Sequence, residues 1–236
     1  MKKHILIMTS IIVVISAGLV AFFLNIKYTP LEASYEARPI DILLTRLLIV
    51  AAPIFTLCMV TMIYSCVVFR RRRGDDEDGP AWRGHAPTEI VWTLIPLAIV
   101  LIFGVYGTIV LRDITRAPFG GKELEIKVTA SQWNWRFEYP EYNVTSAELR
   151  LPIDRPVLFH LNATDVIHSF WVPEFRVKQD AVPGMETFLR ITPSRMGDYK
   201  AYCNQLCGLA HTYMIAPVKV VDTPAFEQWV KEQRSK

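Results

Sequence analysis

The chain opens with three long apolar stretches and then changes character. Ile5 to Leu24 follows Lys2 and Lys3 and holds no charged residue. It fits a bilayer-spanning helix or a secretory signal peptide, and its length favours the span. The second stretch, Ile42 to Phe69, is long enough to cross with tilt and ends in the basic run Arg70, Arg71, Arg72 and Arg73. The third, Glu89 to Leu111, follows a polar loop with Gly74, the acidic run Asp75 to Asp78 and the turn signal Gly79-Pro80. Placing Lys2, Lys3, Arg70 to Arg73 and Arg83 in the cytoplasm, three crossings leave the rest of the chain outside. The expected organisation is an N-terminal helix (or signal peptide) over 1–27, a helical hairpin over 40–112 with a cytoplasmic loop at 70–88, and a separate domain over 120–236. Loss of the first segment would leave a two-span hairpin with the same domain placement.

From Glu123 the period becomes two, with Leu124, Ile126, Val128 and Ala130 alternating with Glu125, Lys127 and Thr129, as in a half-buried strand. Short strand-like runs recur at Pro156 to Leu161, Thr187 to Ile191 and Pro217 to Val221, with turn signals at Pro183-Gly184 and Met196-Gly197-Asp198 between them. This spacing predicts a small antiparallel barrel or sandwich. The last segment reads as a helix, with Thr223 as its cap, Pro224 in its first turn, and Phe226, Trp229 and Val230 on one face.

Composition supports two environments. Of 236 residues 51% are hydrophobic, yet 21% are charged, so one part belongs in lipid and another in water. The net charge is only +3, and acidic and basic side chains balance from Gly120 onward, which gives no electrostatic footprint for nucleic acid.

Chemistry concentrates in Cys203-Asn204-Gln205-Leu206-Cys207-Gly208-Leu209-Ala210-His211-Thr212-Tyr213-Met214. Two thiols, an imidazole and a thioether suit a soft metal such as copper, and no carboxylate lies within the run to favour a hard cation. A second imidazole is available in Asp165-Val166-Ile167-His168-Ser169-Phe170-Trp171. A disulfide would account for the cysteines alone. Zinc held by Cys203, Cys207, His168 and His211 would leave Met214 idle. Cys58 and Cys66 lie in an apolar run and read as small buried hydrophobes. His4, His85 and His160 carry no functional assignment.

These motifs, C-x3-C-x3-H-x2-M with an earlier D-x2-H-S-[FW], resemble cytochrome c oxidase subunit II, the copper-bearing subunit of haem-copper oxidases. The resemblance extends to Glu89-Ile90-Val91-Trp92-Thr93-Leu94-Ile95-Pro96, to Ser131 through Tyr139, and to Lys178-Gln179-Asp180-Ala181-Val182-Pro183-Gly184. It implies a membrane-anchored all-β protein, with N-terminal transmembrane helices followed by a cupredoxin-like Greek-key β-barrel. It further implies two copper ions in a binuclear CuA centre. Cys203 and Cys207 would bridge them, His168 and Met214 would complete one copper, and His211 with the backbone carbonyl of Gln205 the other.

The same resemblance makes Trp133 the point at which electrons arrive, Asp180 a ligand of a magnesium site, and Glu89 the entrance of a proton pathway. Gln205 departs from the family pattern, which has a glutamate there as the second acidic magnesium ligand, and an amide is the weaker ligand for a hard dication. The implied activity is acceptance of electrons from cytochrome c or a similar donor and their relay to haem in subunit I, where oxygen is reduced to water. The implied partners are subunit I, other oxidase subunits and the lipid bilayer. The implied location is a bacterial-type inner membrane, multi-pass, with the C-terminal domain on the periplasmic face. A quinol oxidase subunit II would lack the cysteines, a stand-alone cupredoxin would hold one copper, and nitrous oxide reductase needs more histidines.

Overall fold

The computed structural model describes residues 2–71, 74, 79, 81, 83–117 and 122–235. Arg72, Arg73, Asp75 to Asp78, Pro80, Gly120 and Lys236 therefore lie outside the described residues. The chain divides into two units, one of residues 1–28 with 42–109 and one of residues 29–41 with 110–236.

The first unit is helical. α1 spans Lys2–Asn25, α2 Ala37–Val68 and α3 Ala86–Thr115, and all three are long and apolar enough to cross a membrane. Their apolar side chains are largely exposed, Leu6, Val67 and Val100 among them, as suits helices solvated by lipid. α2 and α3 continue through Pro53 and Pro96. Glu89 sits in the first turn of α3, where its Oε1 accepts the backbone N–H of His85 at 3.0 Å. That bond satisfies one of the donors that a helix start leaves without an intrahelical partner.

Among the described residues the second unit is built from ten strands in two five-stranded sheets. The first sheet runs β3 (Val144–Ser146), β2 (Asn134–Tyr139), β1 (Leu124–Ser131), β5 (Val157–Ala163), β8 (Thr187–Ile191). The second runs β4 (Leu149–Pro152), β10 (Ile215–Val221), β9 (Gly197–Cys203), β6 (His168–Trp171), β7 (Lys178–Ala181). In β1 the side chains of Leu124, Ile126, Val128 and Ala130 are buried, as their alternation predicted. The expected antiparallel barrel or sandwich is corrected at two pairings, because β1 pairs with β5 and β10 with β4 in parallel. Alternation reports which face of a strand is buried and carries no information about its direction.

Aromatic side chains fill the core. Phe170 lies 5.5 Å from Trp135, 6.2 Å from Phe137 and 5.4 Å from Phe159 between ring centroids, so both sheets meet on one residue of β6. α4 (Thr223–Arg234) buries Phe226, Trp229 and Val230, the face that the sequence indicated. Its cap is Asp222, whose side chain accepts the N–H of Ala225, so Thr223 already lies within the helix. A carboxylate one position earlier reaches the same orphan donor and also complements the helix dipole.

Residues 29–41, the end of the α1–α2 connection and the start of α2, are fastened to the β unit. Ala33 N–H donates to Glu174 O at 3.0 Å, Tyr35 N–H to Thr192 O at 3.0 Å, and Ser194 N–H to Ala33 O at 2.9 Å. Arg176 donates to both carboxylate oxygens of Asp41, at 2.8 and 3.0 Å, and also reaches the carbonyls of Pro30 and Pro173. The two side chains are only 8% and 11% exposed, so neither charge has much water to replace its partner. Asp41→Ala is expected to destabilise the β unit by roughly 3 kcal/mol, since it strands a buried guanidinium. Circular dichroism melts of the full chain in detergent would show the lowered transition.

Candidate metal centre

Sulfur and imidazole converge at one end of the second sheet. β9 ends at Cys203 and β10 begins at Ile215, and these strands pair antiparallel. The connecting loop must therefore close on itself, and it does so with Cys203 N–H donating to Met214 O at 3.2 Å. A 3-10 turn over His211–Tyr213 tightens its second half. Asn204 N–H donates to Ser169 O at 2.9 Å, tying the loop to β6, where His168 is the first residue. Sequence neighbours of a hairpin loop and a histidine 35 positions earlier are thereby brought together.

Cys203 Sγ lies 3.8 Å from Cys207 Sγ and 3.8 Å from His168 Nδ1, with the Gln205 carbonyl oxygen at 3.3 Å. Cys207 Sγ lies 3.4 Å from His211 Nδ1 and 3.9 Å from Met214 Sδ. Of the six predicted donors, four thus surround the sulfur pair formed by the other two, and ligand atoms of His168, Cys203 and Cys207 all lie within 4.8 Å of one another. The cysteines are free thiols at a separation well beyond the ~2.05 Å of a disulfide. His168 and Met214 are completely buried, Cys203 and Cys207 nearly so, and His211 partly.

Burial, then the hydrogen bond and charge of Cys203, push the Cys207 thiol up to about 11. A thiol held that high keeps its proton unless a cation takes the proton's place.

Asp165 was quoted in the sequence motif but given no role. Its Oδ1 accepts from His168 Nε2 at 2.8 Å, which turns the ring so that Nδ1 faces Cys203. Burial opposes the charge of Asp165, yet hydrogen bonds from His168 and from the N–H groups of Gln132 and Val166 outweigh it and hold the carboxyl down at about 2. A carboxylate behind a ligating histidine is a recurrent support of metal sites, and the D-x2-H spacing was its visible signal.

Trp133 is 38% exposed. It neighbours Gln132, whose Nε2 donates to Cys207 O at 2.6 Å, so this β1–β2 turn lies on the ligand loop. Gly208, at φ +126°, makes the approach possible, because a Cβ there would sit 2.7 Å from Gln132 Nε2 and 3.4 Å from Trp133. Trp135, by contrast, is buried core, packed edge-on at 6.3 Å from His168. Asp180 lies exposed on β7 opposite Ser169, and among the described residues it joins no cluster of metal-ligating side chains. Glu89 belongs to α3 in the other unit, and His160 bonds Glu186 at 3.2 Å on the surface. Gly208→Ala is expected to cost about 1–3 kcal/mol of backbone strain and displace the Trp133 indole. A shifted tryptophan fluorescence maximum together with a lowered melting transition would register both.

Residues 144–221 match the family model described as cytochrome C oxidase subunit II, periplasmic domain, and residues 27–108 match its transmembrane domain. Cytochrome c oxidase subunit 2 of Synechocystis sp. is 31% identical over 85% of this chain and 74% of its own length. That of Thermostichus vulcanus is 30% identical over 87% of this chain and 78% of its own. Among solved structures, the periplasmic domain of subunit II of the Bradyrhizobium japonicum cytochrome oxidase is 28% identical, covering 48% of this chain and 94% of that one at a TM-score of 0.46.

Proposed function

Because the chain belongs to the cytochrome c oxidase subunit II family, a component of haem-copper oxidases, we propose that its ring of six donors holds two copper ions as an electron-accepting centre. The observation that carries this reading is the sulfur pair at 3.8 Å flanked on each side by one imidazole and one weaker donor. The donor set fits copper. Two imidazoles, one thiolate and the thioether would suffice for a single blue-type ion and leave the second thiolate unused, whereas two thiolates shared between two ions use every donor present. Tetrahedral zinc would leave Met214 buried against Cys207 without a purpose.

Copper, when bound, supplies a one-electron carrier that cycles without proton chemistry. The protein's part is to keep the donors still. Cys203 and Cys207 are fixed by the β9–β10 hairpin and the Asn204 to Ser169 hydrogen bond, and His168 by Asp165. Met214 is clamped by its backbone bond to Cys203. Rigid ligands need little rearrangement when charge changes, which favours fast transfer. Trp133, half-exposed and against the ligand loop, is the side chain we assign to receive electrons from cytochrome c or a similar donor.

The basic residues Lys2, Lys3, Arg70, Arg71 and Arg83 favour a cytoplasmic location for the loop between α2 and α3, and so a periplasmic location for the copper domain. Asp180 would offer magnesium one carboxylate and Gln205 only a neutral amide, so this subunit's contribution to such a site is small. Glu89 accepts the His85 N–H on Oε1 at the start of α3, and a carboxylate so held keeps a second oxygen that could take up a proton, as an entrance requires.

Cys203→Ser or Cys207→Ser in the full chain is expected to reduce copper from two ions per chain to one at most, because a hydroxyl does not bridge as a thiolate does and the donors left suit a single ion. Full copper loading of either variant would overturn the bridging assignment. Trp133→Ala should keep copper content and spectrum while slowing reduction by a protein donor about tenfold, a cost near 1.4 kcal/mol in the barrier. Hexaammineruthenium, which needs no docking surface, should reduce wild type and variant alike in stopped flow.

A further inference from the structure

A cavity of about 270 Å³ lies in the β unit at the C-terminal end of α3. Segment 29–41 closes one side with Glu36 and Pro39, and Asp113, Ile114 and Arg116 close another. Its wall also carries Glu123 and Arg190, joined at 2.9 Å. We propose that this cavity binds the headgroup of a zwitterionic phospholipid with a primary ammonium, of the phosphatidylethanolamine kind.

The charges select that class. Three carboxyls face two guanidiniums, so a bare phosphate or an anionic headgroup meets more like charge than opposite charge. A headgroup with both signs satisfies both, its phosphate toward Arg116 and Arg190 and its ammonium toward Glu36 and Asp113. A primary ammonium donates three hydrogen bonds, which carboxylates accept, whereas a quaternary ammonium donates none. Glu36 Oε2 already accepts the N–H of Thr192 at 3.0 Å, which orients the carboxyl and leaves acceptor capacity on it. Burial pushes its pKa up, so an arriving cation improves its environment.

Apolar surface continues from the cavity and argues for a ligand with a tail. Ile114 and Arg190 also line an adjoining cavity of about 200 Å³, with Leu111, Val177, Phe188 and Leu189. Leu111 and Ile114 lie one turn apart at the end of an apolar helix long enough to span a bilayer. The junction between lipid tails and water is where a phospholipid would present its headgroup.

The test uses the assembled oxidase containing the full chain, reconstituted into phosphatidylcholine vesicles with equal amounts of phosphatidylethanolamine and phosphatidylglycerol. After gentle re-extraction, native mass spectrometry counts retained lipids. Phosphatidylethanolamine should be retained over the other two by about tenfold, the scale of one charge-assisted hydrogen bond. Glu36→Gln and Asp113→Asn should each remove most of that preference while copper content stays at the wild-type level. Loss of copper in Glu36→Gln would mean a disturbed scaffold, and the exposed Asp113 then decides alone. Equal retention of phosphatidylglycerol, unchanged retention by Asp113→Asn, or no retained lipid because another subunit fills the cavity would each overturn the proposal. Displacement of the lipid by soluble phosphoethanolamine at equal concentration would reject the membrane as the source.

Discussion

Cys203 and Cys207 face each other at 3.8 Å in a nearly dry pocket, where burial and mutual charge push the Cys207 thiol to about 11. Two thiolates at that separation repel each other, and the ligand loop carries no lysine or arginine to offset them. A soft cation shared by both sulfurs removes the repulsion, and the surrounding donors are those such a cation prefers. The rest of the domain can be understood as the frame that holds this pair. The β9–β10 hairpin sets the first sulfur, the loop closes through Met214, and β6 presents His168 from the adjacent strand.

The frame is stiff for reasons that lie in the aromatic core and in Asp165. Phe170 contacts Trp135, Phe137 and Phe159, so the strand bearing His168 cannot slide without breaking packing across both sheets. Asp165 fixes the ring of His168 and, through the N–H of Gln132, the turn that carries Trp133. One carboxylate therefore links the ligand to the surface tryptophan. The Arg176–Asp41 pair fastens the first turns of α2 to the loop that precedes β7. Energy spent on these ties yields rigidity, which a centre for fast electron transfer requires.

Much of this was legible in the sequence because it depends on local pattern. Unbroken apolar runs gave the helices, alternation from Leu124 gave β1, and the run from Cys203 to Met214 put four donor side chains close together, to which the family resemblance added the Gln205 carbonyl. Features that depend on distant pairing were hidden. The parallel pairing of β1 with β5 and of β10 with β4 has no signature in alternation, and nothing local marks residues 29–41 as part of the β unit. The cap of α4 fell one residue early because Asp222 and Thr223 are both good caps, and only the observed bond to Ala225 separates them. Asp165 was visible within its motif, but its role emerged only when the His168 ring was seen turned by it.

The central claim is that the sulfur pair holds two coppers that share an electron. Metal analysis and electron paramagnetic resonance of the copper-loaded full chain test it together. The account requires two coppers per chain and a hyperfine pattern from one unpaired electron spread equally over two copper nuclei. One copper per chain with the hyperfine pattern of a single nucleus would contradict it.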